Sequence, residues 1–275
     1  MVDCGMISGG IQWKRVLVSG SFLLAVGVFV SACGKRTVAP LGPDERAERD
    51  ALVEDIRRAD TQELVKAFDL LSRSEYTRYI RTEQYDEEDF LIAYTEHIAE
   101  VRIVDGERRV FVEQADSAGA FDYGFFRRFQ SENVATTDPV NLVPFVLPEE
   151  PVYLDARNMD RYAFRELPDT LLWDRQAQVV EARARPDLAD GLNVRRARHF
   201  VDRGTQTLVA MYIERVDLAL LFREESSFYV DITLRPDGQG AVPNNTRFES
   251  RIRTPFRGAY RVRTVSTYTD VRPVQ

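Results

Sequence analysis

The strongest constraint in this sequence is an alternation of apolar and polar side chains that begins near Tyr76 and continues toward the C-terminus. Within residues 90–104 the odd positions are mostly apolar, and charged residues such as Glu100 and Arg102 alternate with them. A period of two residues is the pattern of a β-strand with one buried face. Asp105-Gly106 follows directly, and this dipeptide favours a type I′ hairpin turn. We therefore predict consecutive antiparallel strands and not a parallel α/β sheet.

The same alternation predicts further strands along the chain. The turns between them are rich in Gly, Pro and Asp, and three of these turns lie at 202–204, 236–240 and 255–258. The predicted strands cover residues 109–114, 162–166, 177–185, 194–201, 207–216, 227–234, 246–254 and 260–269. Two stretches interrupt this series, an aromatic group from Phe121 to Phe129 and a proline-rich apolar segment that ends at Pro151. We expect the insertion from Phe121 to Pro151 to lie against or over the sheet.

Ahead of the strands, residues 44–72 show helical periodicity, and Phe121, Phe125 and Phe129 recur at helical spacing within the insertion. Leu52 and Ile56 share one stripe, and Leu64, Phe68 and Leu71 form a second stripe. Between them, residues 60–63 (Asp-Thr-Gln-Glu) resemble a helix capping box. This pattern predicts two short helices or one broken helix.

The N-terminus has the features of an export leader. Lys14 and Arg15 precede an apolar run over residues 16–30, and the small residues Ser31 and Ala32 follow it. At 1.5 Å per residue this run spans roughly 22 Å, which is shorter than the ~30 Å hydrocarbon core of a bilayer. A permanent transmembrane helix is therefore not expected, and residues 1–32 are predicted to be a signal peptide.

The residues Val30-Ser31-Ala32-Cys33 resemble the lipobox of bacterial lipoproteins. This resemblance implies that the Cys33 thiol receives a diacylglycerol and that Cys33 becomes the new N-terminus after cleavage. More than one acyl chain on Cys33 would anchor the protein stably to a membrane. The alternatives are an ordinary leader with a chance cysteine and a single-pass anchor. Residues 33–43 then form the lipidated cysteine with its tether, and residues 44–275 form a single domain.

The residues after the cysteine bear on its destination. Gly34 stands where enteric bacteria read an aspartate as a signal for inner-membrane retention. Lys35 and Arg36 differ from the acidic stretch that sends some lipoproteins to the cell surface. The resemblance therefore implies a cell-envelope protein that is lipid-anchored in the outer membrane and faces the periplasm.

Charge and cysteine content exclude several classes of protein. The formal net charge of -7 argues against nucleic acid as a partner, because binding phosphate requires a basic face. Hydrophobic residues make up 44% of the chain, which is enough for a buried core. Cys4 and Cys33 are the two cysteines, and Cys4 leaves with the leader. No intramolecular disulfide is therefore expected in the mature chain.

The sequence contains no recognisable catalytic motif, and we expect no catalytic residues, no metal and no cofactor. His97 and His199 are the two histidines. His97 lies on the apolar face of its strand and is expected to be a core residue, whereas His199 is expected at the surface or in a cross-strand contact. The acidic residues 86–89 could be read as paired carboxylates of a glycosidase, but a solvated turn fits the pattern better.

Arginines are concentrated in the last predicted hairpin. If its loop has an odd number of residues, one outer face carries Arg251, Arg253, Arg261 and Arg263. Guanidinium groups bind phosphate and carboxylate well, so this set is a candidate patch for lipid headgroups or for a partner. The alternative is a solvated face that nearby carboxylates balance.

The order of these features is similar to the LolA/LolB-type lipoprotein-localisation superfamily. The lipobox, the helical segment and the strands occur in the order typical of that family. Two local features also resemble it, the turn in Val201-Asp202-Arg203-Gly204 and the later pair Gly240 and Pro243. The resemblance implies a mainly β fold, in which a curved antiparallel sheet forms an incomplete, half-open β-barrel covered by N-terminal helices. It also implies an apolar face that holds acyl chains. On the alternation alone, the candidate lining residues are Leu91, Val101, Ile103, Phe228, Val230 and Ile232.

Two functions follow as hypotheses. The first is a membrane-anchored periplasmic lipoprotein that binds lipid or acyl chains without catalysis, with lipid or lipoprotein as cargo in trafficking. The second is a structural or scaffolding envelope lipoprotein with a solid interior and a protein partner. A periplasmic enzyme without a recognisable motif is a third and weaker reading.

Acylation at Cys33 is open to a direct test. Cys33→Ala removes the thiol that carries the lipid, so the variant is expected to lose radiolabelled palmitate and to leave the membrane fraction. Cys4→Ala is the matched control and is expected to change neither property. Unaltered labelling and fractionation of the Cys33→Ala protein would contradict the prediction.

Overall fold

The fold is described from a computed structural model of the chain. The structure describes residues 41–121, 147, 151–219, 222–235, 238, 240–254 and 258–274. Cys33, the predicted leader and the tether up to residue 40 lie outside the described residues, as does most of the insertion between Phe121 and Pro151.

Two helices precede the strands, α1 (Pro43–Arg58) and α2 (Gln62–Ser72). At the start of α1 the Gly42 N–H donates a hydrogen bond to Glu45 Oε2 at 3.1 Å. Thr61 stands at the N-cap position of α2, but its side chain makes no capping hydrogen bond. Asp60, the first residue of the predicted capping box, accepts the Gln62 N–H at 2.8 Å through its Oδ1, one position ahead of the N-cap of α2.

In the described part of the chain, ten strands follow the helices. Their bounds are β1 (Ser74–Tyr85), β2 (Leu91–Val104), β3 (Glu107–Gly119), β4 (Tyr162–Leu172), β5 (Arg175–Ala184), β6 (Val194–Asp202), β7 (Leu208–Ala219), β8 (Phe222–Leu234), β9 (Ala241–Thr254) and β10 (Gly258–Pro273). A short 3-10 helix, Met159–Arg161, precedes β4. Most strands extend beyond the predicted ranges, because their ends carry polar residues that interrupt the apolar alternation.

The strands form one antiparallel sheet in the order β3-β2-β1-β10-β9-β8-β7-β6-β5-β4. Every neighbouring pair is a sequential hairpin except β1 and β10, which join the two ends of the strand series. The edge strands β3 and β4 do not pair with each other, so the sheet is open. The mainly β fold with an unclosed antiparallel sheet and covering helices agrees with the predicted half-open architecture.

The turns show why the hairpins form where the sequence predicts them. Asp105 and Gly106 have φ values of 56° and 78°, the left-handed pair that a type I′ turn needs. Between β6 and β7, Asp202 Oδ1 accepts the N–H groups of Gly204 and Thr205 at 2.7 and 2.8 Å. The acidic residues 86–89 lie in the turn between β1 and β2, as predicted, and Asp86 Oδ1 accepts two backbone N–H groups there.

The two helices pack on one side of the sheet, which we call the helix-covered face; the opposite side is the outer face. α2 packs mainly against β9 and β7, with further contacts to β1 and β10, whereas α1 packs against β4. The buried side chains of α2 are Leu64, Ala67, Phe68 and Leu71, which form one stripe at helical spacing. Within the described residues, no helix has the length and apolar character that a membrane crossing requires.

An ionic contact fastens α2 to the sheet. Arg175 on β5 lies 2.6 Å from Asp202 Oδ2 and 3.4 Å from Glu63 Oε1 on α2. Burial acts to raise the pKa of Asp202, but the Arg175 guanidinium and the N–H groups of the turn hold this pKa below its ordinary value. The turn that the family resemblance singled out therefore also positions the helix.

The α2 stripe is expected to provide much of the stability of this fold. Phe68 is 1% exposed, so Phe68→Ala leaves a cavity and should lower the free energy of unfolding by about 3–5 kcal/mol. Val65→Ala on the same helix is the control, because Val65 is 36% exposed and should cost less than about 1 kcal/mol. Urea unfolding followed by circular dichroism measures both. Equal losses of unfolding free energy in the two variants would contradict a stabilising role of the α2 stripe.

Candidate functional site

The helix-covered face is the candidate site, and most of it is filled by the protein's own side chains. Phe228, Val230 and Ile232 on β8 are 5%, 0% and 1% exposed. They belong to the same buried cluster as Leu64 and Phe68 of α2. The structure thus brings three of the predicted lining residues together, with helix α2 packed over them.

The other three predicted lining residues lie on β2, away from that cluster. Val101 is buried against Leu71, Tyr76 and Tyr268 in a second, smaller cluster. Ile103 is half-buried, and its N–H donates to Glu75 Oε1 at 3.3 Å. Leu91, at the opposite end of β2, is 46% exposed. The six residues therefore do not line one continuous surface.

An apolar strip on β2 and β3 continues the smaller cluster to the open edge of the sheet. Val110 stands opposite Val101 in the β-ladder, and Val112 stands opposite Ala99. Residues opposite each other share a face, so both valines lie on the helix-covered face. They are 45% and 58% exposed, whereas Val101 is 1% exposed. We call Ala99, Val101, Ile103, Val110 and Val112 the valine strip.

Val110 and Val112 were not among the residues predicted from the sequence. The signal that could have found them is the hairpin turn at Asp105-Gly106. Pairing the two strands symmetrically around that turn places Arg108 opposite Ile103 and Val110 opposite Val101. The missing information was that no element of the described chain covers these positions on β3.

Polar side chains border the strip farther along the same face. Thr82 and Thr264 hydrogen-bond across β1 and β10 at 3.2 Å. His97 stands opposite Ile80 and is half-buried, and burial together with the Arg78 charge lowers the pKa of His97. The strip thus ends at hydroxyl and imidazole groups on this side.

The other histidine is buried, so the surface alternative is wrong, and it stands opposite Val180 of the neighbouring strand. His199 is 3% exposed, and its Nε2 lies 3.1 Å from the Tyr153 hydroxyl. The two rings also meet edge to face, with centroids 5.6 Å apart. His199 alternates with Ala197 and Val201, which places it on the helix-covered face, and burial lowers the pKa of His199 to about 4.

The outer face carries the predicted arginine patch. Arg251 stands opposite Arg261, and Thr254 pairs with Gly258 across residues 255–257, so Arg251, Arg253, Arg261 and Arg263 share this face. Arg261 contacts Asp89 at 3.1 Å and stacks on the Tyr85 ring at 3.9 Å. Arg263 contacts Glu83 at 2.8 Å. Within the described residues no carboxylate forms an ion pair with Arg251 or Arg253.

Glu181 is the most buried carboxylate of the outer face. Its side chain is 0% exposed, and Arg165 and Arg198 contact it at 2.6 and 2.7 Å. Burial acts to raise the pKa of Glu181, whereas these two guanidinium groups lower it below its ordinary value. The outer face is therefore built from ion pairs rather than from apolar side chains.

A polar cavity of about 330 Å³ lies on the outer face beside the arginine patch. Its lining includes Asp89, Tyr212, Glu214, Glu225, Glu249, Arg251 and Arg261. Such a lining suits polar groups and not acyl chains. In the described part of the chain, no group of three or more His, Cys, Asp or Glu side chains could hold a metal ion.

Comparison with known proteins gives structural likeness at low identity. No family model and no curated protein matches the chain. A DUF1329 family protein from Desulfovibrio piger is 11% identical, with 83% of this chain and 92% of that chain covered and a TM-score of 0.24. A Vibrio parahaemolyticus domain described as an outer membrane lipoprotein-sorting protein is 9% identical, with 83% and 90% covered and a TM-score of 0.24. The Pseudomonas aeruginosa MucA/MucB complex is 11% identical, with 82% and 99% covered and a TM-score of 0.21.

The buried histidine predicts a pH dependence of stability. Between the unfolded-state pKa of about 6.5 and the folded-state pKa of about 4, the unfolded chain binds a proton that folded His199 does not bind. The free energy of unfolding is therefore expected to fall by on the order of 3 kcal/mol as the pH falls through this window.

His199→Gln removes the titrating group and retains a hydrogen-bonding partner for Tyr153, so it should flatten this slope. His97→Gln is the control, because His97 is only half-buried and should leave most of the slope in place. Urea unfolding at a series of pH values measures both. A slope unchanged in His199→Gln would contradict the assignment.

Proposed function

We propose that this protein is a lipoprotein, anchored through acylated Cys33 to the periplasmic side of the outer membrane, and that it binds acyl chains without catalysis. The cargo is a lipid or the acyl chains of another lipoprotein. The anchor rests on the lipobox-like sequence ahead of the domain. The binding surface rests on the valine strip.

The observation that supports acyl-chain binding is the exposure of Val110 and Val112 at the edge of the face on which α2 packs. Val110 and Val112 are 45% and 58% exposed on an open edge strand. Each methylene of an acyl chain that leaves water for such a surface contributes about 0.8 kcal/mol. Val110 and Val112 are two residues apart, about 7 Å along β3, so the exposed part of the strip contacts only part of a chain.

An open strip suits transfer better than storage. A cargo acyl chain that moves from a membrane to the strip leaves one apolar environment and enters another. The driving force is therefore only the difference in burial free energy between the membrane and the strip. Partial contact keeps that difference small. The protein can therefore receive a chain and pass it on.

The arginine patch has a separate role in this proposal. Arg251 and Arg253 lie on the outer face, whereas the strip lies on the helix-covered face. One lipid held on the strip does not reach across the sheet to these guanidinium groups. The patch therefore contacts anionic headgroups of the surrounding membrane or a partner protein.

The second candidate function is a scaffolding envelope lipoprotein that binds a protein partner. The observation in its favour is the packed β8 region, where Phe228, Val230 and Ile232 are in contact with the rest of the core and have little exposed surface. A solid interior would leave no place for an acyl chain except the strip.

A binding measurement separates the two candidates. The chain from Gly34 onward is titrated with a fluorescent fatty acid, and the double variant Val110→Asp with Val112→Asp is compared with it. Each valine is expected to contribute about 1 kcal/mol of contact, so affinity should fall roughly tenfold or more. Leu218→Asp is the matched control, because Leu218 is 69% exposed on β7, outside the strip.

Saturable binding that the valine variants weaken and the control retains supports the proposal. No binding by the parent chain, or equal weakening by Leu218→Asp, would reject the strip as the acyl site. Specific recovery of one envelope protein with a chain that binds no fatty acid would favour the scaffold.

A further inference from the structure

The two edges of the sheet differ in how they are protected. β4 carries Pro168 and a shift of register between Leu167 and Thr170, and α1 packs against it. A proline and a covering helix are two of the usual devices that stop another strand from pairing with an edge. β3 contains no proline and has one shift of register, at Glu113. Among the described residues it pairs with β2 alone, and it is exposed along nearly its whole length.

The centre of β3 is also apolar. Val110, Phe111 and Val112 are consecutive and are 45%, 44% and 58% exposed. Because neighbouring residues of a strand point to opposite faces, both faces of this edge are apolar at the same place. An edge strand with unpaired N–H and C=O groups and such side chains is a template for pairing with another strand.

The charges of β3 indicate which strand fits. Arg109 lies two residues before Phe111, and Glu113 lies two residues after it. In an antiparallel pair centred on Phe111, Arg109 of each copy stands opposite Glu113 of the other copy. Val110 stands opposite Val112, and Phe111 stands opposite itself. β3 is therefore complementary to a second copy of itself.

We propose that two copies of this chain associate edge to edge through antiparallel β3 strands, with a two-fold axis at Phe111. Such an interface is isologous and closes on itself, so it produces a dimer and not a fibre. It joins the helix-covered faces of the two sheets, so the valine strips of both copies meet at the seam. The dimer does not depend on lipid binding by either strip.

The contacts within one chain leave these charges available. Arg109 is 3.8 Å from Asp105, and the two side chains are 50% and 85% exposed. An exposed pair at this distance holds its partners weakly. Other charged residues of β3 are engaged, since Arg108 donates to the Ser72 carbonyl and Asp116 accepts the Tyr94 hydroxyl at 2.7 Å.

Cysteine cross-linking of the full-length protein in its native membranes tests the register. At the proposed axis the two Phe111 Cα atoms are about 4.5–5.5 Å apart, within the range of a disulfide. Phe111→Cys is expected to form a covalent dimer on mild oxidation. Leu171→Cys on the other edge strand, 68% exposed, is the matched control and is expected to stay monomeric. The parent chain, which contains Cys4 and Cys33, gives the background.

Charge reversal tests the partner's identity. Arg109→Glu or Glu113→Arg, added to Phe111→Cys, places like charges opposite each other and is expected to lower the dimer yield about tenfold. Co-expression of these two variants places opposite charges at both positions, so the mixed dimer should return to the parent yield. Both residues are at the exposed edge, so neither change should prevent folding.

Covalent dimers of Phe111→Cys with restoration in the mixed pair would support the proposal. Equal yields from Leu171→Cys, or homodimers unaffected by charge reversal, would overturn it. A chain that stays monomeric while an extended peptide of another protein pairs with β3 would also overturn it and assign the edge to that protein.

Discussion

Burial of one face of an open sheet is the constraint on which this fold depends. A ten-stranded sheet that does not close has two faces to protect, and one of them carries buried apolar residues from every described strand except β3. α2 removes this face from water by placing Leu64, Phe68 and Leu71 across β7, β9 and their neighbours. The ion pair between Arg175 and Glu63 fastens the helix there. At its C-terminal end α2 meets the start of β3, where the Ser72 carbonyl accepts a hydrogen bond from Arg108, and Val110 and Val112 farther along β3 remain exposed.

The outer face is polar, and arginines stabilise its buried carboxylates. Glu181 and Glu83 lie under guanidinium groups from neighbouring strands, so carboxylates with almost no exposed surface remain charged. Arg261 and Arg263 also rest on the Tyr85 ring, which combines charge pairing with aromatic contact. A face held by such pairs tolerates water on one side. It therefore needs no covering helix, and it leaves Arg251 beside an accessible polar cavity.

Local features of the fold could be predicted from the sequence, and long-range ones could not. The type I′ turn at Asp105-Gly106 and the helical stripes depend on neighbouring residues, so spacing predicts them. The pairing of β1 with β10 depends on strands at opposite ends of the domain, and no local pattern encodes it. The burial of His199 is not evident from its neighbours, because Arg198 precedes it and a turn follows at 202–204. The exposure of Val110 depends on where α2 ends relative to the sheet. The alternation of residues in β3 gives no information about that position.

The pairing of β1 with β10 means that the first strand cannot gain its second neighbour until the last strand is present. Gly258–Pro273 is the final strand of the chain, so a polypeptide delivered N-terminus first presents β1 with a neighbour on one side only. The hairpins of the middle strands can assemble during delivery, but the two halves of the sheet unite only after nearly every residue has arrived. The sheet can therefore be completed only when almost the whole chain is present. A product shortened before residue 258 would lack the strand that joins β1 to β9.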